Sequence, residues 1–144
     1  MAVRLTPVSL GWVARWPQTG ARVRLVVVAA RILIVDDHPS FRASARALLE
    51  AEGYEVVGEA EDGQSALVLA LALRPDAILL DVQLPDIDGF EVSAQLMGYA
   101  SAPAVVLTSS RDAIDFGPLP SRSGARGFVP KAELSGAGLA ALLA

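Results

Sequence analysis

Past residue 30 the chain alternates between short apolar runs and stretches whose apolar residues recur at helical spacing. The runs Ile32 to Val35, Glu55 to Glu59, Ala77 to Leu80, Ala104 to Leu107 and Gly127 to Val129 predict five strands. Most are nearly continuous in Val, Ile, Leu and Ala, the pattern of parallel strands covered on both faces. The spacers between them predict crossover helices. The first helix is expected to start at Pro39, whose missing N–H is harmless in a first turn, and to end at Gly53 in a left-handed cap. Phe41, Ala45, Leu48 and Leu49 would then share its buried face. A second helix is expected from Gln64 to Leu73, stopped by Pro75, a third from Phe90 to Met97, and a last one from Glu133 to Leu143. The pattern is (βα)5.

The spacer that should hold a fourth helix departs from this regularity, because Phe116 to Gly124 reads FGPLPSRSG. Each proline inside a helix would remove a hydrogen bond and clash with the preceding turn, at about 3 kcal/mol apiece. At most one turn is therefore predicted there, followed by an extended, mobile segment reaching Gly124. Residues 1–30 carry neither periodicity and contain both Trp, two Pro and two Gly. They are expected to form a poorly structured extension, with residues 31–144 as one domain. Leu25 to Ala30 is apolar but far too short to span a bilayer. The abrupt change of character near residue 31 suggests that the assigned start lies upstream of the real one.

Charge sharpens the division. Residues 1–35 hold five Arg and no acid, so the remainder nets −9, the chain's −4 less those five. An acidic domain repels phosphate backbones, which disfavours direct binding to nucleic acid. The chain has no Cys and a single His, His38. Thiolate sites, disulfides and multi-histidine zinc sites are thereby excluded, and a reducing cytoplasm suits the composition.

In an open parallel sheet, ligands gather beyond the carboxyl ends of the strands. The first strand runs into Asp36 and Asp37, the third into Asp81, the fourth into Thr108 and the last into Lys131, the only Lys in the chain. Taken singly, each has a structural explanation: a capping pair, a turn residue, a helix cap, a solvated charge. Together they place three carboxylates, a hydroxyl and an ammonium on one edge. Crowded carboxylates raise a pKa or require a cation, and all-oxygen donors suit a hard one such as Mg2+. A carboxylate could then attack a phosphoryl group while Lys131 and Thr108 bind its oxygens.

ILIVDDHPSFR, AILLDVQLPDIDGFE, AVVLTSS and GARGFVPKAEL, in that order, resemble the response-regulator receiver domain of bacterial two-component systems, in the branch often joined to helix-turn-helix output domains. The resemblance covers about residues 31–144. It implies a doubly wound, flavodoxin-like three-layer α/β sandwich with sheet order 2-1-3-4-5, in which the prolines of the Phe116 to Gly124 stretch leave the fourth helix short or broken. It also implies that Asp81 is the phosphoacceptor and that Mg2+ is held by Asp36, Asp37, Asp81 and the backbone carbonyl of Gln83. Thr108 resembles the switch hydroxyl, Phe128 the switch aromatic and Lys131 the phosphate-binding lysine. Pro85 and Gly89 fit the loop after the acceptor. The implied partner is a histidine kinase or a phosphotransfer protein, with a phosphorylation-dependent dimer as a further expectation and no role for membrane or nucleic acid. His38 is given no chemistry. The family often has Pro after its lysine, whereas here Pro130 precedes Lys131 and Ala132 follows it. Little sequence remains after the last predicted helix, so output is expected through another molecule. The alternatives are a phosphorylation-independent interaction module with the same fold, or a fragment of a DNA-binding regulator. An aspartate-nucleophile phosphatase would favour a second acid where Gln83 stands.

Overall fold

The computed structural model describes residues 29–143, so the expectation for residues 1–28 lies outside the described residues. Five parallel strands form one sheet in the order β2-β1-β3-β4-β5. They are β1 (Arg31–Val35), β2 (Glu55–Ala60), β3 (Ala77–Asp81), β4 (Ala104–Ser109) and β5 (Gly127–Pro130). Alternate residues of each strand face opposite layers. Ile32, Ile34, Leu79 and Val106 pack with Ala45 and Leu49 of α1 (Pro39–Ala51) and Leu139 of α5 (Gly136–Leu143). Leu33, Val35, Ile78, Leu80, Val105 and Leu107 pack on the other face with α2 (Gly63–Leu73) and α3 (Gly89–Met97). The architecture is the three-layer sandwich that the apolar runs predict.

Local chemistry sets the helix ends. Pro39 stands in the first turn of α1, and Gly53 at φ 91° turns the chain out of it. Asp62 caps α2 by accepting from Ser65 N at 2.8 Å, while Asp86, from the loop after β3, accepts from the Gly63 and Gln64 amides at 2.8 and 2.9 Å. Asp88 caps α3 by accepting from Glu91 N at 2.9 Å.

Three expectations need correction. Leu48 is exposed rather than buried with Phe41, Ala45 and Leu49, because it lies on the solvent edge of the α1 face. The last helix begins at Gly136, not Glu133, since residues Lys131–Glu133 form a separate 3-10 turn. The segment after Phe116 is not extended. A 3-10 turn over Ala113–Phe116 is followed by Gly117 at φ 58° and by one helical turn, α4 (Leu119–Arg122). Pro118 is its N-cap and Pro120 lies in its first turn, where a missing N–H breaks no helical bond. The expectation of a broken fourth helix holds.

Candidate functional site

The strand order reverses between β1 and β3, and the polar strand ends meet beyond that reversal. Asp81 closes β3 with 2% exposure, and Asp36 follows β1 fully buried. Each is fixed by the amides that follow it. Asp81 Oδ1 accepts from Gln83 N at 3.1 Å, and Asp36 Oδ1 accepts from His38 N at 2.8 Å. Lys131, just past β5, reaches back over the sheet edge. Its Nζ lies 2.6 Å from Asp36 Oδ2 and 3.4 Å from Asp81 Oδ2, with the Phe41 ring centroid 4.5 Å away. One ammonium thus bridges the two buried carboxylates against an aromatic face.

Burial pushes the Asp81 carboxyl up to about 6. The Gln83 amide opposes this, neighbouring Asp36 adds to it, and Lys131 draws it back down. Asp36, Asp37, Asp81 and His38 each place a potential ligand atom within 4.8 Å of the others. Three of those four donors are carboxylate oxygens, a set that suits a hard divalent cation. Thr108 stands beside Asp81 in the β3–β4 register and is fully buried. Its hydroxyl has no hydrogen-bond partner among the described residues.

Gly89 belongs to the same structure. Its amide donates to the Val82 carbonyl at 2.7 Å, and a Cβ there would fall on the Asp81 carbonyl oxygen and 2.8 Å from Val82 Cα. Only a bare backbone lets α3 start this close to the end of β3.

Of the residues singled out in the sequence, Asp36, Asp37, Asp81 and Lys131 converge, with Thr108 adjoining them in the sheet. Gln83 contributes its amide to Asp81. Phe128 is half-buried on the edge strand β5, opposite Leu107 of β4, and lies 5.9 Å from Phe116, centroid to centroid. Four further residues contact this frame. The His38 ring nitrogen lies 3.0 Å from both Asp36 Oδ1 and Asp37 Oδ1, although the side chain is 64% exposed. Phe41 flanks Lys131. Arg42 donates to the Asp36 carbonyl at 2.7 Å. Phe116 joins Phe128 to Phe90, whose centroid is 5.3 Å from its own. Apolar spacing marked Phe41 only as a core residue of the first helix, and proximity to the acid pair was the only pointer to His38 and Arg42.

Comparison with known proteins gives a consistent picture. Residues 32–142 match the family described as response regulator receiver domain. A Pseudomonas aeruginosa protein named as a transcriptional regulator is 42% identical over 104 residues, covering 72% of this chain and 50% of that protein. The signal receiver domain of the response regulator NarL from Mycobacterium tuberculosis superposes with a TM-score of 0.72 at 36% identity, over 81% of this chain and 98% of that one. The chemotaxis response regulator CheY4 of Vibrio cholerae gives a TM-score of 0.70 at 28% identity, over 81% and 97%. The chain spans about half the length of the curated relatives it matches.

Proposed function

The chain belongs to the response regulator receiver domain family, and from that premise we propose that Asp81 accepts a phosphoryl group from a histidine kinase or phosphotransfer protein at an acid pocket that binds Mg2+. The observation that carries this reading is a buried carboxylate at the end of β3 with Asp36, Lys131 and Thr108 arranged around it.

An Asp81 oxygen attacks phosphorus, the P–N bond of the donor phosphohistidine breaks, and its electron pair stays with the imidazole. The product is an acyl phosphate on the chain itself, so the protein is no turnover enzyme on a foreign substrate. Asp36, Asp37, Asp81 and the Gln83 carbonyl hold the metal, which when bound offsets the charge on the phosphoryl oxygens. Lys131 exchanges a carboxylate for a phosphoryl oxygen, a compact charge suited to phosphate. Thr108 donates its unpartnered hydroxyl to another. Phe128 then follows Thr108 and changes the neighbouring surface, through which the chain binds an output partner or a second copy.

In this reading residues 31–144 are the receiver domain, residues 1–30 are an extension that phosphotransfer does not need, and the chain works in the cytoplasm without contacting nucleic acid. About half of each of these curated relatives lies outside the matched region, and several are named as transcriptional regulators. That favours a second reading of the output, in which this receiver is part of a longer DNA-binding regulator. Intact-mass measurement with a small-molecule phosphodonor and Mg2+ tests the central step. The wild type should gain one phosphoryl group and Asp81→Asn none. A wild type that gains no phosphate from donor or kinase would leave a phosphorylation-independent interaction module as the better account.

A further inference from the structure

Arg42 reaches from the first turns of α1 to two other parts of the site's frame. Its Nε donates to Glu59 Oε1 at 2.9 Å and its NH1 to the backbone carbonyl of Asp36 at 2.7 Å. The second oxygen of Glu59 accepts from Arg46 Nε at 2.8 Å. Glu59 stands on β2 opposite Ile34, and the next residue, Ala60, accepts from Asp36 N at 3.0 Å. Both polar groups of the Asp36 backbone are therefore tied to the β2 side, the N–H directly and the carbonyl through Arg42. That carbonyl belongs to the peptide joining Asp36 to Asp37, so its orientation sets where the Asp37 side chain begins. With side-chain exposures of 16% for Arg42 and 29% for Glu59, the pair is half-buried, and water competes less for these bonds than at an open surface.

We propose that Arg42 is a positioning residue of the acid pocket, holding the Asp36–Asp37 peptide so that both carboxylates converge on a divalent cation, with Glu59 as its anchor. This rests on the reading of Asp36 and Asp37 as Mg2+ ligands. Simple electrostatics gives the opposite expectation, because a guanidinium near the pocket repels a divalent cation and its removal should tighten binding. The sign of the effect therefore separates the two accounts. Arg46 supplies the control: it carries the same charge and shares Glu59, but its side chain bonds to Glu59 and Glu50. Lysine at position 42 keeps the charge and loses the planar fork that serves two acceptors at once.

Calorimetric Mg2+ titration of the full chain, without phosphodonor, tests the assignment, with urea unfolding of each variant alongside. Arg42→Met and Arg42→Lys should each weaken Mg2+ binding by roughly 10-fold, the low end for loss of a residue that orients a ligand. Arg46→Met should bind as tightly as the wild type or more tightly. Amide exchange at Asp37 and His38 should be faster in Arg42→Lys than in the wild type. Arg42→Lys with unchanged Mg2+ affinity overturns the proposal, as does an equal loss in Arg46→Met, which would report a general disturbance of α1. If Arg42→Met fails to fold, the charge-preserving Arg42→Lys still decides. A wild type that binds no Mg2+ overturns the metal-site reading itself and this assignment with it.

Discussion

Thr108 carries a hydroxyl that is fully buried and unpartnered among the described residues, and leaving such a group unsatisfied costs about 1–3 kcal/mol. A fold that keeps this cost at a sheet position beside Asp81 is consistent with a hydroxyl used only when a phosphoryl oxygen arrives. Thr108→Val should accordingly raise the unfolding free energy by about 1 kcal/mol in urea denaturation, while reducing the change in amide exchange that phosphodonor produces. A destabilised valine variant would mean that the hydroxyl has a partner in solution. At this scale the sequence was readable where a residue's role follows from its place on a strand: Asp36, Asp81, Thr108 and Lys131 all sit where apolar runs stop. Contacts between separate elements were not readable. The Lys131–Phe41 pairing and the Arg42 bond to the Asp36 carbonyl depend on how α1 lies over the strand ends, and apolar spacing carries no information about that.

Among the elements, α1, α2 and α3 follow their predicted spans closely because their periodicity and their punctuation by Pro39, Gly53 and Pro75 agree. The stretch between β4 and β5 does not, and the reason is positional. Pro118 and Pro120 were weighed as residues of a helix interior, yet they occupy the N-cap and first turn of α4, where proline is tolerated. The stretch is also fastened at particular points. Phe116 bridges Phe90 of α3 and Phe128 of β5, Arg111 lies 5.2 Å from the Phe116 ring centroid, and Ser93 Oγ donates to the Ser123 carbonyl at 3.0 Å. A displacement of Phe128 would thus be felt through Phe116 by two short turns rather than by one rigid helix. Phosphorylation should therefore change amide exchange in residues 110–124 more than in α1 or α2. Phe116→Ala should shrink that response and cost about 1–2 kcal/mol of stability, below the 3–5 kcal/mol of a fully buried phenylalanine. Exchange in residues 110–124 that is unaffected by phosphorylation, while another surface responds, would remove this stretch from the signal.

For the molecule as a whole, Ala30 and Arg31 close the amino end of the sandwich among the described residues. Arg31 N donates to Asp76 Oδ2 at 2.8 Å, and its guanidinium donates to the Leu73 and Arg74 carbonyls at 2.8 and 2.9 Å, satisfying the last turn of α2. The Ala30 carbonyl accepts from Glu55 N at 2.9 Å, so the β1–β2 ladder begins one residue before β1. The apolar run of β1, read in the sequence from Ile32, starts next to these contacts. Arg31 itself was counted only as charge, since its bonds to α2 are set by tertiary packing. A chain that begins at Val28 keeps all of these contacts and should unfold within about 1 kcal/mol of the full chain, with the same gain of phosphate from a small-molecule donor. Arg31→Ala in the full chain should cost about 1–2 kcal/mol, because two carbonyls at the end of α2 lose their donor. A loss of more than about 2 kcal/mol in the shortened chain would show that residues 1–27 pack on the domain, and the extension would then have to be counted as part of the receiver's core.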